Sequence, residues 1–126
     1  MRIIFAGTPE FAARHLEIVL ESGHEIVCAL TQPDRKSGRG KRLKPSPVKQ
    51  LAEKEKIPLM QPKSLASDEI LKDLETFKPD LMLVVAYGLL IPKNILEIPK
   101  IDCINVHASV LPRWRGASPM EYSILN

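Results

Sequence analysis

The sequence has little of what marks redox, metal or membrane proteins. Its two cysteines, Cys28 and Cys103, lie inside apolar runs far apart in the chain. We interpret them as small buried hydrophobic residues of a reducing compartment, because neither belongs to a metal or redox motif. No apolar run approaches the roughly 20 residues of a membrane span, and the strand-like start R-I-I-F-A follows no basic region typical of a signal peptide. We therefore expect a cytoplasmic protein without a membrane partner.

Two further absences concern cofactors. The turn Gly7-Thr8-Pro9 lacks the G-x-G-x-x-G pattern of dinucleotide sites, and a proline and a phenylalanine stand where a pyrophosphate needs glycine. This argues against a nicotinamide cofactor. His15 and His24 have no partners at metal-ligand spacing, so we interpret them as packing and turn residues and expect no metal.

The composition is that of one ordinary globular domain with a concentrated basic segment. The 126 residues are 44% hydrophobic and 26% charged, with a net charge of +3, which suffices for a real core. Between Gln32 and Gln50, seven basic residues stand against one acidic residue. The excess positive charge therefore belongs to this segment.

Apolar runs that alternate with amphipathic segments predict an α/β fold. Short apolar runs suit buried parallel strands, and Ser, Thr and Pro before amphipathic segments suit helix starts. Strands are predicted at Arg2–Ala6, Glu25–Thr31, Ile57–Met60, Leu81–Ala86 and from Cys103, and helices from Thr8, Ser46, Ser67 and Ala117, with a short helix or turn at Ile95. We expect a Rossmann-like, open, mainly parallel sheet with helices on both faces.

A polar pair ends one apolar strand. Asn105 and His107 are two residues apart and therefore lie on the same face of the strand. Ligands of open α/β sheets bind at the carboxyl ends of strands. The amide can donate an N–H to a developing oxyanion, and the imidazole can move a proton near neutral pH. A hydrogen-bonded pair that only fixes the following loop is an equally simple interpretation.

Four segments resemble, in order, the folate-dependent formyltransferases, in particular the branch that acts on aminoacylated initiator tRNA. They are I-I-F-A-G-T-P-E-F-A-A (Ile3–Ala13), Q-P-D-R-K-S-G-R-G-K (Gln32–Lys41), V-V-A-Y-G-L-L-I-P (Val84–Pro92) and I-N-V-H-A-S-V-L-P-R-W-R-G-A-S-P (Ile104–Pro119). The resemblance implies transfer of a formyl group from 10-formyltetrahydrofolate to the free amino group of methionyl-initiator tRNA, for translation initiation. We expect no obligate protein partner.

The resemblance also implies roles for individual residues. Asn105 and His107 would be catalytic. The tetrahydrofolate site would be lined by Ser109, Val110, Leu111 and Pro112, and one wall of the folate pocket would be formed by Leu89, Leu90 and Ile91. For the wall segment, plain core packing stays an open alternative. Most relatives carry Leu where Val110 stands, a mild change.

The segment Gln32–Pro47 is too long for an ordinary connection in an α/β unit. Gly38 and Gly40 flank Arg39, and alternating basic residues suit a phosphate backbone. In the resembling enzymes this loop inserts at the tRNA acceptor end, which implies tRNA binding by Arg39, Lys41 and Arg42. We expect the loop to be mobile without RNA. A solvated basic loop without a ligand is the alternative.

The resembling enzymes continue past the segment that matches this chain. They have a catalytic aspartate well beyond the histidine and a C-terminal β-barrel domain that helps to hold tRNA. We therefore expect residues 1–126 to be the N-terminal portion of a formyltransferase catalytic domain, with 32–47 as a basic insertion. An imidazole without its orienting carboxylate has the wrong tautomer or pKa, so we expect the chain alone to be nearly inactive.

Two other functions are weighed. A folate-dependent formyltransferase could act on a small amine such as glycinamide ribonucleotide or an amino sugar, but a small acceptor gives no reason for the basic insertion. A non-catalytic RNA-binding α/β module would explain the insertion and would leave Asn105 and His107 without a role.

Overall fold

A computed structural model describes residues 1–37, 42–108 and 120–124. The strands are β1 (Arg2–Gly7), β2 (Glu25–Leu30), β3 (Arg35–Ser37), β4 (Arg42–Lys44), β5 (Leu59–Met60), β6 (Leu81–Val85), β7 (Asp102–Ala108) and β8 (Met120–Ile124). The helices are α1 (Glu10–Glu21), α2 (Pro47–Lys54), α3 (Asp68–Thr76) and α4 (Lys93–Leu96). In the part of the chain that the structure describes, no helix is long and apolar enough to cross a bilayer.

Six strands form one sheet in the order β5-β2-β1-β6-β7-β8. All neighbours are parallel except β7 and β8. Strand order runs outward in both directions from β1 and β6, so the topological switch point lies between these two strands. Gly7 pairs with Val85 there, and ligands of such sheets bind in the crevice beyond the carboxyl ends at this point. The predicted Rossmann-like, mainly parallel sheet is confirmed.

The sheet separates two apolar cores because strand side chains alternate between its faces. On β1, Ile3 and Phe5 face the core formed with α1 and α2. Ile4 and Ala6 face the core formed with α3 and α4. Both faces are covered, which explains why this strand is a continuous apolar run rather than an alternating one. Helices on both faces are therefore confirmed.

Two of the three predicted serine or threonine caps are present. The Ser46 hydroxyl accepts from the backbone N–H of Lys49 at 3.0 Å, and Ser67 accepts from Ile70 at the start of α3. At α1 the prediction is wrong, because Pro9 occupies the cap position without a side-chain hydrogen bond. The hydroxyl of Thr8 donates instead to a distant backbone carbonyl, as described below.

The helix predicted from Ala117 is wrong over Met120–Ile124, which form β8. This strand runs antiparallel to β7, with Asn105 paired to Ser123 and His107 paired to Glu121. Its M-E-Y-S-I sequence contains residues with good strand propensity, and the free edge of β7 supplies a row of backbone partners. Tertiary pairing decides the conformation here.

The basic segment contains a hairpin where only a loop was expected. β3 and β4 pair antiparallel, with Arg35 opposite Lys44. Arg42 is exposed on β4. Arg39 and Lys41 lie outside the described residues.

Candidate active site

β7 brings Asn105 and His107 together on one face of the sheet. The Nδ2 atom of Asn105 lies 2.6 Å from Nε2 of His107 and 3.4 Å from Nδ1. Asn105 is half-buried and His107 is exposed. With the amide nitrogen as donor, Nε2 is an unprotonated acceptor. The pair therefore combines an N–H donor with a basic nitrogen at one strand end.

A cleft of about 400 Å³ lies beside this pair, at the carboxyl ends of β6 and β7. Its size is within the range of small-molecule sites. The lining consists of apolar side chains, one backbone turn and the polar pair: Val84, Ala86, Tyr87, Gly88, Leu89, Asn105, Val106 and His107. This combination suits a flat heteroaromatic ligand that needs an apolar slot and a few polar contacts.

One wall of the cleft is a strained turn that follows β6. Ala86 and Gly88 both have left-handed backbone, with φ of +51° and +90°. For a residue with a β-carbon such as Ala86, this conformation costs about 1–2 kcal/mol. Such strain persists where the surroundings hold the backbone in place, so the contacts of this turn matter for the site.

Two side chains from other segments hold the turn through one carbonyl. The carbonyl of Tyr87 accepts from Oγ1 of Thr8 at 2.8 Å and from Nε2 of Gln32 at 2.8 Å. The ring of Tyr87 is 2% exposed, and its hydroxyl has no hydrogen-bond partner among the residues of the described ranges. Burial, and next the neighbouring Cys28, raise the pKa of Tyr87 to about 12.

Thr8 and Gln32 were not predicted as site residues. From the sequence, Thr8 is a candidate helix cap, and Gln32 is the first residue of the basic segment. The Tyr87-Gly88 break at a strand end is the one local signal of a turn that needs support. It does not identify the side chains that provide this support, because they come from other parts of the chain.

The predicted folate-wall residues differ in burial. Leu89 and Ile91 are half-buried and pack against the core formed with α3 and α4, and Leu89 also lines the cleft. Leu90 is 88% exposed. The four residues predicted to line the tetrahydrofolate site, Ser109, Val110, Leu111 and Pro112, lie outside the described residues.

The base of the hairpin is tied to the body of the domain through Asp34. Its carboxylate accepts from Nζ of Lys49 at 3.0 Å and from Nε2 of Gln61 at 2.8 Å. These hydrogen bonds, that from Gln61 first, lower the pKa of Asp34. The next residue, Arg35, donates through its guanidinium to Oε1 of Gln32. The hairpin therefore starts from a fixed point close to the cleft wall.

No group of three or more His, Cys, Asp or Glu side chains could hold a metal ion in residues 1–37, 42–108 and 120–124. His15 packs against Phe11, with ring centroids 4.6 Å apart, and Nδ1 lies 2.8 Å from the Phe11 carbonyl. This agrees with its interpretation as a packing residue.

Comparison with known proteins gives a family and a fold. A sequence model of the family described as "Formyl transferase" matches residues 1–126. The methionyl-tRNA formyltransferases of Pseudomonas syringae pv. tomato and Pseudomonas savastanoi pv. phaseolicola are 58% and 57% identical over 124 residues. Each match covers 98% of this chain and 40% of the relative. The chain thus spans about two fifths of the length of these relatives.

Solved structures with similar folds are more distant in sequence. Phosphoribosylglycinamide formyltransferase from Bacillus halodurans matches with a TM-score of 0.63 at 14% identity, covering all of this chain and 81% of that one. Glycinamide ribonucleotide transformylase 1 from Geobacillus kaustophilus matches with a TM-score of 0.61 at 16% identity, covering 99% and 83%. At these identities the likeness shows the fold alone.

Proposed function

The chain belongs to the formyl transferase family, and from this membership we propose that it carries the catalytic pair of an enzyme that formylates methionyl-initiator tRNA. The formyl donor is 10-formyltetrahydrofolate, the acceptor is the free amino group of the methionyl residue, and the setting is translation initiation in the cytoplasm. The names of the relatives at 57–58% identity support the acceptor. The observation that carries the proposal is the contact between Asn105 and His107 beside a cleft of mixed apolar and polar lining.

The cleft fits the pterin part of a folate. Leu89 and Val106 offer apolar contacts, and the Ala86–Gly88 turn offers backbone groups on one side. When bound, the donor supplies a formyl group attached to nitrogen. The proposed binding residues are Leu89, Ser109, Val110, Leu111 and Pro112, with Leu90 and Ile91 contributing to the wall through their backbone only.

Asn105 acts as the oxyanion donor in this proposal. Attack of an amine on the formyl carbon converts the carbonyl oxygen into an oxyanion. The carboxamide of Asn105 has two N–H groups, so one can contact His107 while the other donates to that oxygen. A preorganised donor of this kind lowers the barrier by about 3 kcal/mol.

His107 manages the proton of the reaction. The attacking amine forms a C–N bond and must lose a proton, and the nitrogen that leaves the formyl carbon must gain one. Nε2 of His107 is unprotonated when it accepts from Asn105. Once the N–H of Asn105 moves away from Nε2, that nitrogen can take the first proton and return one to the leaving nitrogen.

The basic hairpin supports an RNA acceptor over a small amine. Arg42 is exposed on β4, and with Arg39 and Lys41 it would contact phosphates, which supply most of the affinity of such complexes. A small acceptor such as glycinamide ribonucleotide leaves this charge without a role.

The test is a chimera in which this chain replaces the matched segment of the Pseudomonas syringae relative. We expect it to formylate methionyl-tRNA from 10-formyltetrahydrofolate at a rate comparable to the parent, and not to formylate glycinamide ribonucleotide. Asn105→Ala should lower kcat about 10²–10³-fold. Asn94→Ala, an exposed residue of α4, is the matched control and should retain full activity. A folded Asn105→Ala chimera with normal kcat would rule out the assigned role.

A further inference from the structure

Gln32 contacts four separate segments at the carboxyl end of the sheet. The residue is 9% exposed, and each of its polar groups has a partner. Nε2 donates to the carbonyl of Tyr87, and Oε1 accepts from the guanidinium of Arg35. The backbone N–H donates to Oγ1 of Thr8 at 3.4 Å, and the backbone carbonyl accepts from Gln61 at 3.4 Å.

On one side, Gln32 supports the wall of the cleft. Tyr87, whose carbonyl it binds, stands between the two left-handed residues Ala86 and Gly88. Nε2 also fills the space beside Gly88, where a β-carbon would lie 2.0 Å away. A shift of the Gln32 carboxamide therefore breaks one of the two side-chain hydrogen bonds that hold the wall.

On the other side, Gln32 holds the start of the basic hairpin. Arg35 is the first residue of β3 and pairs with Lys44 across the hairpin. The preceding Asp34 is itself fixed by Lys49. Since a guanidinium is always charged and binds in a defined planar geometry, its bond to Oε1 of Gln32 transmits the position of the hairpin to the carboxamide.

We propose that Gln32 is a positioning residue that couples the basic hairpin to the wall of the donor cleft, so that RNA on the hairpin and donor in the cleft raise each other's affinity. The identity of the two ligands rests on the proposed function. Because Arg35, Gln32 and the wall are joined by hydrogen bonds, a ligand that stabilises one position of the hairpin also stabilises the matching position of the wall, so the second ligand binds more tightly. Coupling of this kind is reciprocal.

Two variants separate the two halves of the link. Gln32→Glu keeps the shape of the side chain and an oxygen for Arg35, but it replaces the N–H donor to Tyr87. Arg35→Met removes the contact to the hairpin and keeps the contact to the wall. Lys36→Met is the matched control: it removes the same charge from the next residue, and strand alternation directs its side chain to the opposite face.

The first experiment needs no ligand. In the full chain labelled with ¹⁵N, Arg35→Met should shift the backbone amide resonance of Gly88 several-fold more than Lys36→Met does. The effect of Arg35→Met should disappear when Gln32→Glu is already present. The coupling is overturned if Arg35→Met and Lys36→Met shift the Gly88 resonance equally. It is also overturned if Arg35→Met still shifts this resonance in the Gln32→Glu background. Neither outcome depends on what the protein binds.

The second experiment measures the ligand coupling by calorimetry on the chimera, with 10-formyl-5,8-dideazafolate as donor analogue and an acceptor-stem RNA hairpin. In the wild type we expect RNA to raise the affinity for the analogue about fivefold or more. In Gln32→Glu and in Arg35→Met, RNA should leave that affinity nearly unchanged. Analogue affinity without RNA should fall in Gln32→Glu and stay unchanged in Arg35→Met. An RNA effect that survives in both variants overturns the inference. Absence of analogue binding in the wild type contradicts the proposed function instead, and the Gly88 result then decides the coupling alone.

Discussion

Gly88 and Gly23 have almost the same backbone conformation but opposite surroundings. Their φ angles are +90° and +83°. A β-carbon at Gly88 would collide with the carboxamide of Gln32, whereas a β-carbon at Gly23 would meet nothing within 4 Å. The two glycines therefore separate the cost of backbone strain from the cost of a steric clash.

Replacing each glycine by alanine should give unequal losses of stability. Gly23→Ala should lower the free energy of unfolding by about 1 kcal/mol, the strain of a left-handed residue with a β-carbon. Gly88→Ala should cost about 1–3 kcal/mol more, because Gln32 must move. Urea unfolding gives both values, provided that the m-value stays the same. Equal losses would show that Gln32 adapts without cost.

Leu89 and Leu90 make a matched pair for the donor cleft. Leu89 lines the cleft, whereas Leu90 is 88% exposed. Leu89→Ala should weaken binding of the donor analogue to the chimera about tenfold, since it removes about 1.4 kcal/mol of apolar contact. Leu90→Ala should leave the affinity unchanged. Titration calorimetry compares the two, and a larger loss in Leu90→Ala would place the donor elsewhere.

Both thiols should be unreactive in the folded chain. Cys28 and Cys103 are free and buried, and burial raises the pKa of Cys28 to about 12 and that of Cys103 to about 11. Because the thiolate is the nucleophile, Ellman's reagent at pH 8 should react with neither until urea unfolds the protein. Fast modification of either residue before unfolding would contradict the burial.

The raised thiol pKa values also set the direction of an alkaline effect. The folded state binds the thiol protons more tightly than the unfolded state, so this stabilisation is complete below the unfolded pKa of about 8.5. It is lost as the pH rises toward the folded values. We expect the free energy of unfolding, measured by urea titration, to fall above about pH 9. In Cys28→Ala this free energy should fall less steeply with pH.

Asp34 should contribute stability that disappears only in acid. Its pKa is lowered by the hydrogen bonds from Gln61 and Lys49, so the folded state favours the carboxylate. The contribution is therefore complete above the unfolded pKa of about 4 and is lost as the pH falls toward the lower folded value. Asp34→Asn should remove this part of the pH dependence.

The measurement for Asp34 is thermal unfolding at pH 7 and pH 3. Wild type should lose more stability between these conditions than Asp34→Asn does. The exposed Asp73 of α3 is the control, and Asp73→Asn should follow the wild-type profile. If Asp34→Asn shows the same pH profile as wild type, the carboxylate does not anchor the hairpin base.

The parts of the fold that depend on local interactions could be predicted from the sequence. Ser46 and Ser67 cap helices because a cap is a contact within a few residues. Asn105 and His107 share a face because strand side chains repeat every two residues. Buried strands show as continuous apolar runs when both faces are covered.

The rest depends on contacts between distant segments. Gln32 and Tyr87 are 55 residues apart, and no local pattern pairs them. The helix prediction for β8 failed because the open edge of β7 offers backbone hydrogen bonds that the isolated segment does not have. The segment after β6 is irregular and has no helical or strand periodicity, so the sequence does not indicate that Leu89 rather than Leu90 faces the cleft.

The position of β1 between β2 and β6 has a kinetic consequence. The contact between Arg2 and Glu25 joins residues 23 positions apart and closes a short loop, whereas the contact between Arg2 and Asp80 joins residues 78 positions apart and closes a long one. By chain entropy the longer closure costs about 1 kcal/mol more, so pairing with β2 should come first on refolding. The switch-point crevice cannot exist until β6 docks, and the transition state should therefore contain the β1-α1-β2 unit with β6 still incompletely paired. Substitutions in β6 should then accelerate unfolding more than they slow folding.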